Sequence, residues 1–342
     1  MSFNRFSQYL IIFLIALLVS YFITPVVAWM ARTFKILDLP AKNKIHKKPT
    51  PRLGGLAIFI AYYLSLYLTK NLNSSSGIII IGGMLVLVLG ILDDIFKVPA
   101  IIKFIYIVIL SFILIKYGLV AGLFGKLFLF NVFITLLWIV GVTSAFNAVD
   151  NMDGLAVGLG AIAAVTFFVI AVRTLQWEWA ALTVALAGAL LGFLRYNFNS
   201  AKIFMGDSGS LFLGFTLAAI GLKGEWSTNS MKASIVPILV LGVPVFDLSY
   251  IVIRRWLEGT AKGVLKAIAF CAKDHFSHRL LSIGFSQRIS VLFIYLIAIT
   301  VSIEAIVLQN TAKLDAVLLV SQFILIFIIV SVLLSITKRI RA

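Results

Sequence analysis

The chain has 342 residues, 62% of them hydrophobic and 12% charged, with a mean hydropathy of +1.11. A soluble domain carries about twice that share of charge, so the composition excludes a soluble globular enzyme and points to a chain solvated largely by lipid. The net charge of +16 does not argue for nucleic acid, because the basic residues are distributed by side, as membrane topology and anionic ligands require.

The first apolar run, Gln8 to Met30, is long enough to cross ~30 Å of hydrocarbon, which takes about 20 helical residues. It lacks a small-residue cleavage site and ends against a basic loop, so it reads as a first spanning helix and not a removable signal. Further apolar runs fall near 53–69, 77–92, 99–116, 127–143, 155–172, 178–194, 209–222, 233–253, 289–308 and 315–336. Segment 119–126 is too short to span and reads as a loop. No stretch has soluble composition, so residues 1–342 read as one all-α polytopic membrane domain with about eleven crossings. The one cysteine, Cys271, excludes an intrachain disulfide.

Eleven crossings put the termini on opposite sides, and the Lys/Arg bias decides which side is inner. With the amino terminus outside, the inner face gathers Arg32, Lys35, Lys42, Lys44, Lys47, Lys48, Arg52, Lys97, Lys103, Arg195, Arg254, Arg255, Lys266, Arg279 and others, most of the 29 basic residues. The carboxyl terminus is then cytoplasmic. Inner loops 32–52, 93–98, 144–154, 195–208 and 254–288 form a cytoplasmic active face of a plasma-membrane protein. Most of the 13 acids and all three histidines, His46, His275 and His278, fall on that face.

Three motifs there carry chemistry. In Leu92-Asp93-Asp94-Ile95-Phe96-Lys97, two adjacent carboxylates beside hydrocarbon repel each other and lose hydration, which calls for a metal or for Lys97 as a compensating cation. In Asn147-Ala148-Val149-Asp150-Asn151-Met152-Asp153-Gly154, the polar positions 147, 150 and 153 recur every three residues, so one turn of helix or a tight loop would aim them together. A plain Asn/Asp/Gly turn is the competing reading, but a turn does not need two of so few acids. In Phe204-Met205-Gly206-Asp207-Ser208-Gly209-Ser210, the glycines allow close backbone approach to a ligand at a helix start, where Asp207 or Ser208 also serves as an N-cap. Acids without clustered His or Cys suit Mg²⁺ or Mn²⁺ and not zinc. Two basic loops, 32–52 and 254–288, frame them. Positive-inside anchoring explains most of that charge, but His275 and His278 beside Arg279 form a candidate phosphate clamp.

Assembled, these residues resemble the polyprenyl-phosphate N-acetylhexosamine-1-phosphate transferases over nearly the whole chain. DLPAKNKIHKKPTPRLGG resembles the family's first inner loop, LDDIFK its double-aspartate motif, and SAFNAVDNMDGLAVG its N-x-x-D-x-x-D-G-L-A motif. FMGDSGSLFLGF and PVFDLSYIVIRR follow in family order. Two positions depart: Ser277 stands where the last inner loop usually has a histidine, and Asn151 where glycine is usual.

The resemblance implies transfer of a sugar-1-phosphate from a UDP-sugar to a polyprenyl phosphate, with release of UMP and Mg²⁺ or Mn²⁺ as cofactor. It implies Asp93, Asp94 and Asp207 as catalytic, with Asp207 as metal ligand and Asp94 or Asp93 beside it. One carboxylate of the pair is alternatively the group that positions or deprotonates the lipid phosphate. Asn147, Asp150 and Asp153 would bind the nucleotide-sugar or support the metal, and His275, His278, Arg279 and Lys48 would hold the sugar or diphosphate.

The P-x-P-R-x-G-G loop resembles the branch that uses UDP-N-acetylglucosamine to prime surface glycans. The branch that takes UDP-N-acetylmuramoyl-pentapeptide more often reads T-P-T-M-G-G there. An ion-coupled transporter is disfavoured because its acids would sit near mid-membrane. The sequence also allows a homodimer.

Overall fold

A computed structural model describes residues 3–40, 48–121, 127–259 and 275–339. The stretches 41–47 and 260–274, which carry His46, Lys266 and Asp274, and the 122–126 part of the 119–126 segment lie outside the described residues. The chain runs through α1 (Phe3–Thr33), β1 (Leu37–Asp38), β2 (Thr50–Pro51), α2 (Gly54–Leu68), α3 (Ser74–Phe96), α4 (Ala100–Lys116), α5 (Phe128–Val149) and α6 (Leu155–Arg173). It continues through α7 (Trp177–Asn197), α8 (Gly206–Lys223), α9 (Ser230–Val240), α10 (Gly242–Leu257), α11 (Phe276–Ser282), α12 (Gln287–Leu308) and α13 (Lys313–Arg339).

Helices occupy every apolar segment read from the sequence. Among the described residues, seven are long and apolar enough to cross a membrane, or eight if the bent pair α9–α10 counts as one. The chain is therefore an all-α, multi-pass membrane protein. The segment expected as one helix over 233–253 is broken, with α9 and α10 meeting at 78°. Pro237 lies inside α9 and offers no N–H to its helix, while Pro244 sits in the first turn of α10, where proline is tolerated. A helix therefore restarts at Gly242 after Leu241.

Three loops expected on the active face are shorter than their sequence suggests. Helix α3 continues through Asp93 and Asp94 to Phe96 and closes on Lys97, whose N–H still donates to the Asp93 carbonyl at 2.9 Å and whose left-handed backbone (φ 54°) then turns the chain out of the helix. Helix α5 runs to Val149, so Asn147 is helical, and α7 runs to Asn197. A polar side chain does not by itself end a helix in lipid, because the helical backbone satisfies its own polar groups.

Helix α8 is buried along almost its full length, against α3, α5 and α2. Helices in lipid gain no hydrophobic drive from touching each other, so close packing depends on small residues. A Cβ on Gly90 of α3 would lie 2.4 Å from the Ser208 Cα, and one on Gly55 of α2 would lie 2.3 Å from the Gly209 Cα. Gly188 and Gly192, one turn apart on α7, meet the Phe13 and Leu17 carbonyls of α1 in the same way. The start of α8 is thus held backbone to backbone by two neighbours. Exposed leucine, isoleucine and phenylalanine side chains on α1, α4 and α13 suit a lipid environment.

Candidate active site

The site is built where α3 ends and α8 begins. At Gly206 the backbone is left-handed (φ +73°), and a Cβ there would lie 2.5 Å from Asp94 Oδ2. Asp94 uses that space. Its Oδ1 accepts the Asp207 N–H at 3.0 Å and its Oδ2 the Ser208 N–H at 3.1 Å. A carboxylate from one helix therefore satisfies the free amides at the start of another, where the helix dipole also favours negative charge. The cap expected from Asp207 or Ser208 comes instead from Asp94, 113 residues away.

That arrangement turns the Asp207 side chain toward Asp93. Between them sits Lys103, from the first turn of α4, with Nζ 2.5 Å from Asp93 Oδ2 and 2.7 Å from Asp207 Oδ2. Asp93, not Asp94, is thus the carboxylate that meets Asp207 around a shared cation. The side-chain cation here is Lys103, where the sequence offered a metal or Lys97; Lys97 is exposed and contributes its backbone to the end of α3. The available signal for Lys103 was its place in the apolar run Ala-Ile-Ile-Lys-Phe-Ile-Tyr, since a lysine at the hydrocarbon boundary needs a partner.

The first basic loop joins from the other side. Arg52 donates from Nη2 to Asp38 Oδ1 at 2.8 Å, and its Nη1 lies 3.7 Å from Asp94 Oδ1. The β1–β2 ladder, with Leu37 opposite Pro51 and Asp38 opposite Thr50, fixes this corner. The Phe204 N–H donates to the Pro51 carbonyl, and the Gly54 and Gly55 N–H groups donate to the carbonyls of Phe204 and Met205. Motifs 50–55, 93–94 and 204–208 are therefore one hydrogen-bonded body. Lys48 lies exposed just ahead of β2.

The Asn147–Asp153 group does not aim at one point, because the helix carrying it stops at Val149 and the three-residue period stops with it. Asn147 Nδ2 donates to Ser210 Oγ at 2.9 Å, within the first turns of α8. The charges of Asp207, Asp94 and Arg52 act on Asp150. Burial, then the Asp207 and Asp94 charges, push its carboxyl up to about 8, with Arg52 opposing. Asp153 turns elsewhere, its Oδ2 accepting the Ser200 and Ala201 N–H groups at 3.1 and 2.9 Å, and so braces the segment leading to α8.

The histidine loop reaches this end of the bundle through Ser277, whose hydroxyl donates to Asn151 Oδ1 at 2.7 Å. His275 precedes α11 as its N-cap residue, in extended backbone (φ −60°, ψ 153°), so the i, i+3 spacing with His278 does not lie within one helix. The His275 ring meets Asp247 Oδ2 through Nδ1 at 2.7 Å. His278 is half-buried within α11, and the Arg279 guanidinium lies 5.5 Å from the Tyr250 ring centroid. Lys103 and Asn197, whose side chain accepts the Gly154 N–H and donates to the Ile203 carbonyl, are structural partners outside the motifs, and Asp247 lies in PVFDLSYIVIRR without having been given a role.

Residues 76–225 match the family described as Glycosyl transferase family 4. Over 317 residues the chain is 38% identical to the "Probable undecaprenyl-phosphate N-acetylglucosaminyl 1-phosphate transferase" of Bacillus subtilis (strain 168), across 90% of this chain and 87% of that protein. The chain belongs to glycosyl transferase family 4. Another similar member is the decaprenyl-phosphate N-acetylglucosaminephosphotransferase of Mycobacterium leprae, 33% identical over 83% of this chain and 79% of that one. A phospho-N-acetylmuramoyl-pentapeptide-transferase of Clostridium botulinum is 32% identical, over a shorter 66% of this chain and 74% of its own length. Asp93, Asp94, Asp150 and Asp207 of this glycosyl transferase 4 member stand within a few residues of helix ends.

Proposed function

We propose that this enzyme transfers N-acetylglucosamine-1-phosphate from UDP-N-acetylglucosamine to a polyprenyl phosphate, and that the reaction releases UMP and primes a surface glycan. The observation that carries this reading is the meeting of Asp93, Asp207, Lys103, Asp94 and Arg52 at one end of the bundle. Two anionic substrates must approach each other there, and both signs of charge are already arranged to receive them. An oxygen of the lipid phosphate attacks the sugar-bearing phosphorus of the donor. A new P–O bond forms, and the bond to the bridging oxygen breaks, with that oxygen leaving on UMP.

Mg²⁺ or Mn²⁺ fits these residues. Asp207 and Asp93 already converge on one cation, and among the described residues no set of three or more His, Cys, Asp or Glu side chains forms a complete protein cage. Mg²⁺ is commonly held by one or two carboxylates and completed by substrate phosphates and water. When bound, the ion would offset charge on the diphosphate. Asp207 and Asp93 would hold it, Asp94 would keep the α8 entry in place, and Lys103 and Arg52 would face the phosphates. Asn147, Asp150 and the α11 group would meet the donor.

The active end faces the cytoplasm of a bacterial plasma membrane in this reading, with eleven crossings and the amino terminus outside. With Cys271 replaced by serine, a cysteine at Asn73 should react with an impermeant thiol reagent in intact cells, and one at Lys97 should not. The reverse pattern overturns the orientation. The activity itself is tested with purified protein, Mg²⁺, undecaprenyl phosphate and a panel of labelled UDP-sugars. Product with UDP-N-acetylglucosamine and UMP release are expected; use of UDP-N-acetylmuramoyl-pentapeptide alone would overturn the donor assignment.

A further inference from the structure

Asp247 is an acid on α10, within the PVFDLSYIVIRR stretch, to which the sequence reading gave no role, and only 3% of it is exposed. A buried carboxylate persists only where its oxygens are matched, and both are. Oδ1 accepts the Phe276 N–H at 2.8 Å and Oδ2 faces His275 Nδ1 at 2.7 Å. Asp247 therefore does two things to α11. It satisfies a free amide at the helix start, and it fixes the imidazole next to it.

The chemistry of that second contact is specific. An ionised carboxylate can only accept, so the proton lies on Nδ1 and the ring plane is set by the bond. Nε2 is left as the atom available to a ligand. Three residues further along α10, on the same helical face, Tyr250 presents its ring to the Arg279 guanidinium. Helix α10 thus grips α11 at both ends of its first turn, through Asp247 on His275 and Tyr250 on Arg279. From the opposite side, Asn151 holds Ser277.

We infer that Asp247 is a positioning residue for donor use: it holds the His275 ring and the first turn of α11 in the orientation that meets the UDP-sugar. This rests on the reading that α11 contacts the donor. The arrangement explains why a segment of only seven residues can present side chains rigidly: its anchors lie on other elements.

The test separates the two claims by variants that keep different halves of the pair. In His275→Asn the side-chain amide can still donate to Asp247 where Nδ1 did, but Nε2 is gone. In Asp247→Asn the Phe276 amide can keep its acceptor, while the new NH₂ faces Nδ1 and favours the opposite tautomer. Both purified variants are assayed for KM and kcat with UDP-N-acetylglucosamine and, separately, with polyprenyl phosphate, alongside thermal unfolding.

Each variant should raise the donor KM or lower donor kcat/KM by roughly tenfold or more, consistent with loss of one charge-assisted contact. The acceptor KM should stay near wild type. The double variant should be no worse than the poorer single, because both act through one ring. If His275→Asn leaves donor kinetics unchanged, α11 does not hold the donor and the underlying reading fails. If His275→Asn impairs the donor but a folded Asp247→Asn does not, or if the two effects multiply, the positioning role of Asp247 fails. Should Asp247→Asn unfold, Asp247→Glu supplies the readout: it keeps the accepting charge, and a folded Glu variant with wild-type ring placement must recover donor kcat/KM above that of His275→Asn.

Discussion

Ser277 and Asn151, 126 residues apart in sequence, are joined by a 2.7 Å hydrogen bond from the serine hydroxyl to the asparagine carbonyl oxygen. These are the same two positions at which the chain departs from the motifs of the family it resembles. A change in the histidine loop and a change in the Asp150–Asp153 turn therefore meet in space, and the hydroxyl does by a neutral bond what brings α11 to the active end. Ser277 is 2% exposed and Asn151 half-buried, so the bond is partly sheltered from water.

Ser277→Ala should lower kcat/KM for the donor about three- to tenfold, the effect of one neutral hydrogen bond. Asn151→Ala should cost a similar factor, and the double variant no more than either alone. Steady-state kinetics on the three proteins checks this, and full additivity would show that the bond does not link the two segments.

Lys103→Gln removes the ammonium between two carboxylates while keeping much of the side-chain length. Turnover at saturating Mg²⁺ should fall roughly tenfold to hundredfold, as expected for lost charge-assisted contacts. A variant with wild-type turnover and simply tighter Mg²⁺ binding would mean that the lysine only fills the cation's position.

Asp207→Asn should abolish turnover with little change in unfolding temperature, because about a quarter of its side chain is already exposed (26%) and the α8 amides are held by Asp94, not by Asp207. Chelator should likewise remove wild-type activity and added Mg²⁺ restore it. Asp94→Asn should behave differently, losing stability as well as activity, since it weakens the acceptor of two buried amides. Circular dichroism melts beside activity assays distinguish the two aspartates.

The pH dependence of stability follows from Asp150. Its folded pKa, raised from 3.8 to about 8 chiefly by burial, lies above the unfolded value. Such a group contributes stability that is fully present below the unfolded pKa and is lost as pH rises through the folded one. In metal-free protein the unfolding temperature should therefore decline between about pH 4 and pH 8 through this group. Asp150→Asn should flatten that decline, and an unchanged slope would assign it to other residues.

Much of this was legible in the residues. Apolar runs announced the helices because hydrocarbon demands continuous apolar surface, and the acids announced themselves by standing at helix ends where burying charge is costly. Helix ends were less legible: Asp93 and Asn147 fell in expected loops because polar residues suggest turns, yet both lie within helices that run on to Phe96 and Val149. The break between α9 and α10 was hidden inside one apolar run. Which carboxylate pairs with which cation was not written in spacing at all. Lys103 reaches Asp207 only because α3, α4 and α8 converge, and Asp94 turns to backbone because Gly206 leaves room for it.

The contacts at Gly55 and Gly90 give this enzyme a further trait. The carboxylates are aligned by places where side chains are missing, so the smallest possible addition, one methyl group, would wedge the site apart with no charge altered. A survey of random substitutions would therefore find dead variants at positions that touch no substrate. It would rank two featureless hydrogens beside the acids, and their sensitivity would reflect masonry and not chemistry.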